Sequence, residues 1–356
     1  MALARKSSPH AHGPRSTQWL MQQVLIATVP GLIVLTSFFG IGTLLNILIA
    51  SVTAIGCEAA VLKLRKRPLG FYLSDYSALV TAVLLGIALP PLVPWWLTVT
   101  GTAFAIIIAK HLYGGMGYNP FNPAMIGYVV LLISFPLQMS AWLAPGGLLV
   151  DGTPAMGPDF MSSLKIVFLG NPIDGFTAAT PLDAFKHNNG LLVSQFYEQT
   201  PQFSQGQWAG FGWEWVNIAF LFGGVYLLAR KVFTWHGPVG MLAGLSVMAL
   251  FNYDGGSSTS NGSILFHLLS GATMFGAFFI VTDPVTSATS NRGRLIYGAM
   301  IGIIMFLIRS WGNYPEALAF AVLLMNFAAP FIDYYTPPRT YGHSKSGTII
   351  HRSKED

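Results

Sequence analysis

The chain has 356 residues, of which 53% are hydrophobic and only 9% charged. Soluble globular domains carry about 25% charged residues, so this composition excludes an ordinary water-soluble enzyme and indicates an all-α polytopic membrane protein. The formal net charge of +5 does not indicate a nucleic-acid surface, because the cations follow membrane topology; no DNA or RNA binding is expected.

A bilayer core about 30 Å thick needs about 20 apolar residues per helix. Residues 1–20 are too mixed to span and lack a cleavage site, so they read as a cytoplasmic segment and the first span is expected to be retained. Residues 21–143 contain five spans, near 21–38, 43–62, 76–93, 95–112 and 124–143. Residues 144–213 form one long outer loop, and 214–335 contain five more spans, near 214–230, 236–252, 264–282, 295–310 and 316–334. About ten transmembrane helices are therefore expected, followed by a cytoplasmic tail over 336–356. The Pro90–Trp96 stretch leaves little room between the third and fourth spans. It reads as an interfacial hairpin with Trp95 and Trp96 in the aromatic belt.

Lysine and arginine orient this layout. With the N terminus in the cytoplasm, 16 of the 19 cations fall on cytoplasmic segments and only Lys165, Lys186 and Arg309 fall outside. An even number of spans follows, with both termini cytoplasmic and the 144–213 loop on the periplasmic face of a bacterial inner membrane.

Charges inside spans are costly and mark candidate sites. Glu58 is the clearest; it either pairs with Lys63 near the interface or serves an ion path. Lys110 and His111 close the fourth span, where snorkelling toward the headgroups explains them. Asp333, beside Tyr334 and Tyr335, reads as an interfacial anchor. The single cysteine, Cys57, forms no internal disulfide and cannot hold an iron-sulfur cluster or thiolate zinc site alone; it reads as a small buried apolar residue. No metal site is expected, and no side chain has a partner that would make it a general acid or base.

Two junctions share a pattern. Asn122-Pro123 and Asp283-Pro284 each place a capping residue before a proline able to open a helix. They are either simple helix starts or places where broken helices line a cofactor or ion cavity. Similar glycine, proline and tyrosine placements in 101–128 and 271–297 hint at a repeat, and two inverted five-helix halves are equally compatible.

The outer loop contains Asp174-Gly175-Phe176-Thr177-Ala178-Ala179-Thr180-Pro181-Leu182. Pro181 pushes Thr180 into an extended conformation and suits the first helical position, making Thr180 an N-cap, with Asp183 three residues on to complete a capping box. Asp174-Gly175 supplies a turn, and Ala178 and Ala179 leave the strand before the cap easy to grip. A phosphate ester on Thr180 would sit where amides and the helix dipole favour an anion, so capping and attachment are compatible.

Several blocks together resemble the RnfD (RsxD) family, a membrane component of the Rnf (Rsx) ion-translocating electron-transport complex. They are Ser7–His10, His111–Gly115, Asn119–Tyr128, Asp174–Leu182, His267–Met274, Thr282–Thr286, Asn291–Ile296 and Asp333–Tyr335. The family is related to the B-type component of the sodium-pumping NADH:quinone reductase. The resemblance implies a translocase subunit, inactive alone, that carries electrons on FMN joined by a phosphoester to Thr180. A flavin transferase would install the FMN from the outer face. It also implies partner subunits that deliver and remove electrons, since no nucleotide-binding fingerprint is present, and by analogy a second, noncovalent flavin such as riboflavin.

The family's attachment pattern, Asp-x-x-Ser/Thr-Gly-Ala-Thr, places Asp174, Gly175, Thr177, Thr180 and Pro181 at the site, with Ala178 replacing its glycine. Ser270-Gly271-Ala272-Thr273 matches the last four positions more literally, but Thr273 falls within a span whose backbone must stay helical, out of a transferase's reach. Phe176, Phe185, Phe196, Tyr197, Phe203 and Trp208 are candidates to pack on a flavin ring or on the membrane face. The competing reading is an ion or solute transporter without a redox cofactor, in which Glu58 and broken helices form the path and Thr180 is only a cap.

Overall fold

The computed structural model describes residues 16–173, 175–188, 190–314 and 316–337. Asp174, the Ser7–His10 block and the tail cations lie outside them. The chain is mostly helical, and each apolar segment read from the sequence carries helix. Four helices are long and apolar enough to cross a membrane: α1 (Thr17–Phe39), α2 (Gly42–Leu64), α16 (Asn291–Trp311) and α17 (Leu318–Tyr335). The others are shorter or broken. They are α3 (Leu69–Leu73), α4 (Ser77–Ala88), α5 (Trp95–Ala103, continuing as a π-helix over Phe104–His111), α6 (Pro123–Ser134), α7 (Pro136–Ser140), α12 (Trp213–Ala229), α13 (His236–Phe251), α14 (Ile264–Leu269) and α15 (Thr273–Phe275, continuing as a π-helix over Gly276–Ile280). The long loop folds into a two-stranded ribbon, β1 (Leu149–Val150) and β2 (Thr153–Pro154), and helices α8 (Phe160–Leu169), α9 (Pro181–Lys186), α10 (Val193–Gln199) and α11 (Pro201–Ser204).

Close helix approach rests on small residues. Gly240 and Gly244 of α13 lie against the backbone of α16 at Leu295 and Ala299, and Gly298 and Gly302 of α16 return the contact at Gly237 and Met241. Spacing of four puts each glycine pair on one face, so the backbones meet without intervening side chains. Gly223 of α12 sits likewise on the Ala27 carbonyl of α1. A Cβ at any of these positions would clash with main chain.

Two segments depart from the expected layout. The Leu89–Val93 stretch is not helical and packs into the protein, while Trp95 and Trp96 stay exposed. Helix α4 stops at Ala88, and the Asn46 amide of α2 takes up the freed Pro90 carbonyl (2.9 Å). The expected span at 264–282 is not one helix either, because Ser270–Ala272 interrupts it and Gly271 adopts φ +57°. Irregular backbone is tolerated at such depth only where protein groups satisfy it. The Asn122-Pro123 junction opens α6 as expected, with the Asn122 side chain accepting from Met125 N (3.2 Å). Asp283-Pro284 opens no helix, and α16 begins only at Asn291 under a Ser290 cap. Asp283 instead caps a turn through Val285 N (3.1 Å) and Thr286 Oγ1 (2.9 Å) and accepts from Asn122 Nδ2 (3.2 Å), which ties the two junctions together.

Candidate functional site

Two short runs, one entering the long loop and one within it, lie side by side. Ala144 N donates to Phe176 O and Ala178 N to Trp142 O, both at 2.9 Å, with Leu143 opposite Thr177. Gly175 turns the chain into this strand at φ +88°. Gln202 Nε2 then holds the Ala179 carbonyl (2.6 Å). Thr180 follows in extended conformation, φ −71° and ψ 159°, and its hydroxyl accepts from Asp183 N (3.2 Å) as the cap of α9. Pro181 takes the first helical position, as expected. The Asp183 carboxylate faces His187 (3.3 Å) rather than closing a reciprocal capping box. At the far end of α9, Lys186 Nζ donates to Tyr314 O (3.0 Å) and Ile308 O (3.4 Å), capping the end of α16. Burial pushes the Lys186 amine below the usual lysine range, against the pull of Asp183.

Thr180 is half-buried at a small cavity of about 80 Å³, whose walls include Tyr128, Trp142, Trp213, Phe220, Phe275 and Glu316. Gly175 and Thr177 are not among its lining residues; they shape the strand that delivers Thr180. The loop aromatics mostly pack on one another instead: Phe185 meets Phe196 at 5.7 Å and Tyr197 stacks on Phe203 at 4.7 Å, while Phe185 also meets Phe266 of α14 at 4.6 Å. The rings facing Thr180 come from other segments. An extended, half-exposed hydroxyl beside aromatic walls fits attachment of a flavin phosphate, and the cavity's size admits part of a ring system rather than a whole cofactor.

The rival Thr273 is fully buried, although it starts α15 after the break and does not sit inside a continuous helix. Its hydroxyl donates to His267 O (2.8 Å) and Ser270 O (2.9 Å) and accepts from Arg309 Nη1 (3.0 Å). Arg309, counted above as an outer charge, is buried at 4% exposure and pairs with both oxygens of Glu316 at 3.2 Å. Glu316 also accepts from the amides of Ala272 (2.9 Å), Ala317 (3.0 Å) and Leu318 (3.1 Å). Sequence reasoning missed this pair, although opposite charges seven residues apart at the ends of adjacent spans were a usable signal.

Near the C-terminal end of α2, Glu58 is also buried. Its partner is Lys110 (2.7 and 3.0 Å), not Lys63, and His111 Nε2 lies 3.3 Å away. Lys110 also donates to Ser77 Oγ (2.7 Å), the first residue of α4. At 2% and 4% exposure, Lys110 and His111 do not snorkel; the carboxylate and the Ser77 hydroxyl hold them inside. Lys110 and Ser77 line a second cavity of about 560 Å³ with Asn119, Asn122, Asp283 and Tyr297. Cys57 packs beside the alanines of α2 as a small apolar residue. No group of three or more metal-ligating side chains occurs among the described residues.

The family model of the NQR2, RnfD, RnfE family matches residues 4–342. The chain belongs to that family. It is 59% identical over 346 residues to a Cellvibrio japonicus protein named as the D component of the ion-translocating oxidoreductase complex, covering 97% of this chain and 96% of the relative. Relatives of the same name from Ectopseudomonas mendocina and Pseudomonas aeruginosa PAO1 are 57% and 56% identical, each over 97% of this chain and 97% and 98% of their own length. The family assignment agrees with the resemblance read from the motif blocks.

Proposed function

We propose that this chain is the membrane flavoprotein subunit of an ion-translocating oxidoreductase complex, the assembly its relatives are named for, with FMN held by a phosphoester on Thr180. The observation that carries this reading is the placement of Thr180: an extended capping hydroxyl, half-exposed, at the rim of an aromatic cavity. Bound there, FMN supplies redox chemistry that side chains lack. The protein's part is to position it. Gln202, Trp142 and Phe176 fix the strand, and Lys186 fastens α9 to α16. Apolar Tyr128, Trp213, Phe220 and Phe275 exclude water behind the attachment point.

In this reading the chain crosses the bacterial inner membrane about ten times, its broken helices included, with both termini cytoplasmic. The α9 side faces outward, where a flavin transferase reaches Thr180. Exposed apolar residues such as Ile33, Val52, Phe222 and Phe327 meet lipid. Partner subunits exchange electrons with it. The larger cavity, within the usual pocket range of about 300–1,000 Å³, is assigned to a noncovalent riboflavin, and Glu58 beside it to the ion path.

The test is fluorescence of the denatured subunit on a gel, from cells containing the transferase. A fluorescent band lost in Thr180→Ala and kept in Thr273→Ala is expected. A dark wild-type band would overturn the reading in favour of a transporter without a redox cofactor.

A further inference from the structure

The ion pair at the α15 break has a second face. Glu316 lines the same small cavity as Thr180, together with Leu182 of the helix that Thr180 caps and with Gly271 and Ala272 of the break. No other lining residue among those described is an acid, a lysine, an arginine or a histidine. A single formal charge therefore stands on the wall of an otherwise apolar and aromatic pocket.

Its partner does not share that position. The Arg309 side chain is 1% exposed against 22% for Glu316, and it takes no part in the cavity wall, so the guanidinium lies behind the carboxylate. The pair presents its negative end to the cavity. Five hydrogen bonds fix that end: two from Arg309 Nη2, both at 3.2 Å, and one each from the amides of Ala272, Ala317 and Leu318. Gly271 makes room for it, because a Cβ at that residue would collide with Glu316 Oε2. A carboxylate tied to main chain at three points cannot swing away when the charge beside it changes. Such a fixed charge acts far more strongly in a pocket of this kind than in water.

We infer that the Arg309–Glu316 pair tunes the reduction potential of the group at Thr180, the carboxylate holding that potential low. The inference rests on the reading of Thr180 as the point of FMN attachment. One partner subunit supplies the electrons and another removes them. Each electron that enters the isoalloxazine without a proton adds negative charge to the ring, and a carboxylate on the same wall opposes it. Arg309 offsets part of that field from behind. Removing either member should therefore shift the potential, in opposite directions.

The test is a potentiometric titration of the flavins in the purified complex, at one pH and followed by their absorbance. The component missing from Thr180→Ala identifies the flavin of this chain, and gel fluorescence of each denatured variant shows that it is attached. Glu316→Gln is expected to raise the midpoint, Glu316→Asp to keep it near the wild-type value, and Arg309→Gln to lower it. The Glu316→Gln, Arg309→Gln double variant should fall between the two singles. An unchanged midpoint in a fluorescent Glu316→Gln subunit overturns the inference. So do shifts of one sign in Glu316→Gln and Arg309→Gln, which would mean a distorted cavity and not a charge effect. If Arg309→Gln fails to assemble, the Glu316 variants decide: equal upward shifts in Gln and Asp overturn the inference, since Asp keeps the charge. A dark wild-type band overturns attachment at Thr180 instead, which separates the two failures.

Discussion

Among the described residues two ion pairs lie at opposite ends of the bundle, one buried and one with a part-exposed carboxylate, alike in plan and different in how the carboxylate is held. In each, a cation at the end of a helix reaches the hydroxyl that begins a shortened one: Lys110 to Ser77 of α4, and Arg309 to Thr273 of α15. Each shortened helix is entered through a left-handed residue, Tyr76 at φ +61° and Gly271 at φ +57°. The carboxylates differ. Glu316 accepts three backbone amides besides Arg309, so it is a staple that fastens the α15 break to the start of α17. Among the described residues Glu58 is held by side chains alone, Lys110 and His111, beside the larger cavity. A carboxylate bound only by side chains can change partners without unravelling main chain; one bound by amides cannot.

Double variants break or sharpen that contrast most strongly. Lys110→Met leaves a buried carboxylate without its cation and is expected to cost about 3–5 kcal/mol, while Arg309→Met leaves a part-exposed one and should cost less. Adding Glu58→Gln to Lys110→Met should restore most of the loss, because the uncompensated charge is gone. Adding Glu316→Gln to Arg309→Met should restore little, since the amides of Ala272, Ala317 and Leu318 then lose a charged acceptor worth about 1.5–3 kcal/mol per bond. Thermal unfolding of the four single and two double variants measures both couplings. Equal rescue at the two ends would remove the distinction between staple and movable carboxylate.

The left-handed entries give an effect of intermediate size and opposite sign. Gly271→Ala forces a Cβ onto Glu316 and Leu182 in a conformation disfavoured by about 1–2 kcal/mol for an L-residue, so it should destabilise the α9 side. Tyr76→Gly removes the same kind of strain beside Ser77. It should leave stability unchanged or raise it by up to about 1 kcal/mol after the entropic cost of glycine. Loss of stability in both variants would show that the Tyr76 ring, not its backbone, is what the Ser77 turn needs.

These networks mark the limit of what is legible in the sequence. Local chemistry is: Thr180 and Asn122 cap their helices because a hydroxyl or amide before proline satisfies a nearby amide whatever surrounds it. The apolar segments are too, since composition alone fixes their solvent. The breaks are legible only in part. Pro90-Pro91 announces the first, whereas nothing in Ser270–Ala272 separates it from its flanks, and what permits irregular backbone at both is remote: Asn46 for Pro90, Glu316 for Ala272. Lys110 reads as snorkelling in the sequence because its partners lie 52 and 33 positions away. The four-residue glycine spacings of α13 and α16 are in plain view, yet their meaning needs the knowledge that these two helices touch.

The smallest expected effect isolates the joint between α9 and the Arg309–Glu316 staple. Lys186 reaches the carbonyls of Ile308 and Tyr314, both just ahead of Glu316 in the chain, while Leu182 of the same short helix rests against Gly271. Removing the amine in Lys186→Met leaves the carbonyls to water and should cost about 1 kcal/mol. The loss should be local. Limited proteolysis should quicken within the segment following α9 and stay unchanged around Lys63–Arg67, because among the described residues no hydrogen bond or ion pair joins the Glu58 network to α9. If cleavage quickened equally on both sides, the two ends would be one cooperative unit, and the independence of staple and movable carboxylate would fail.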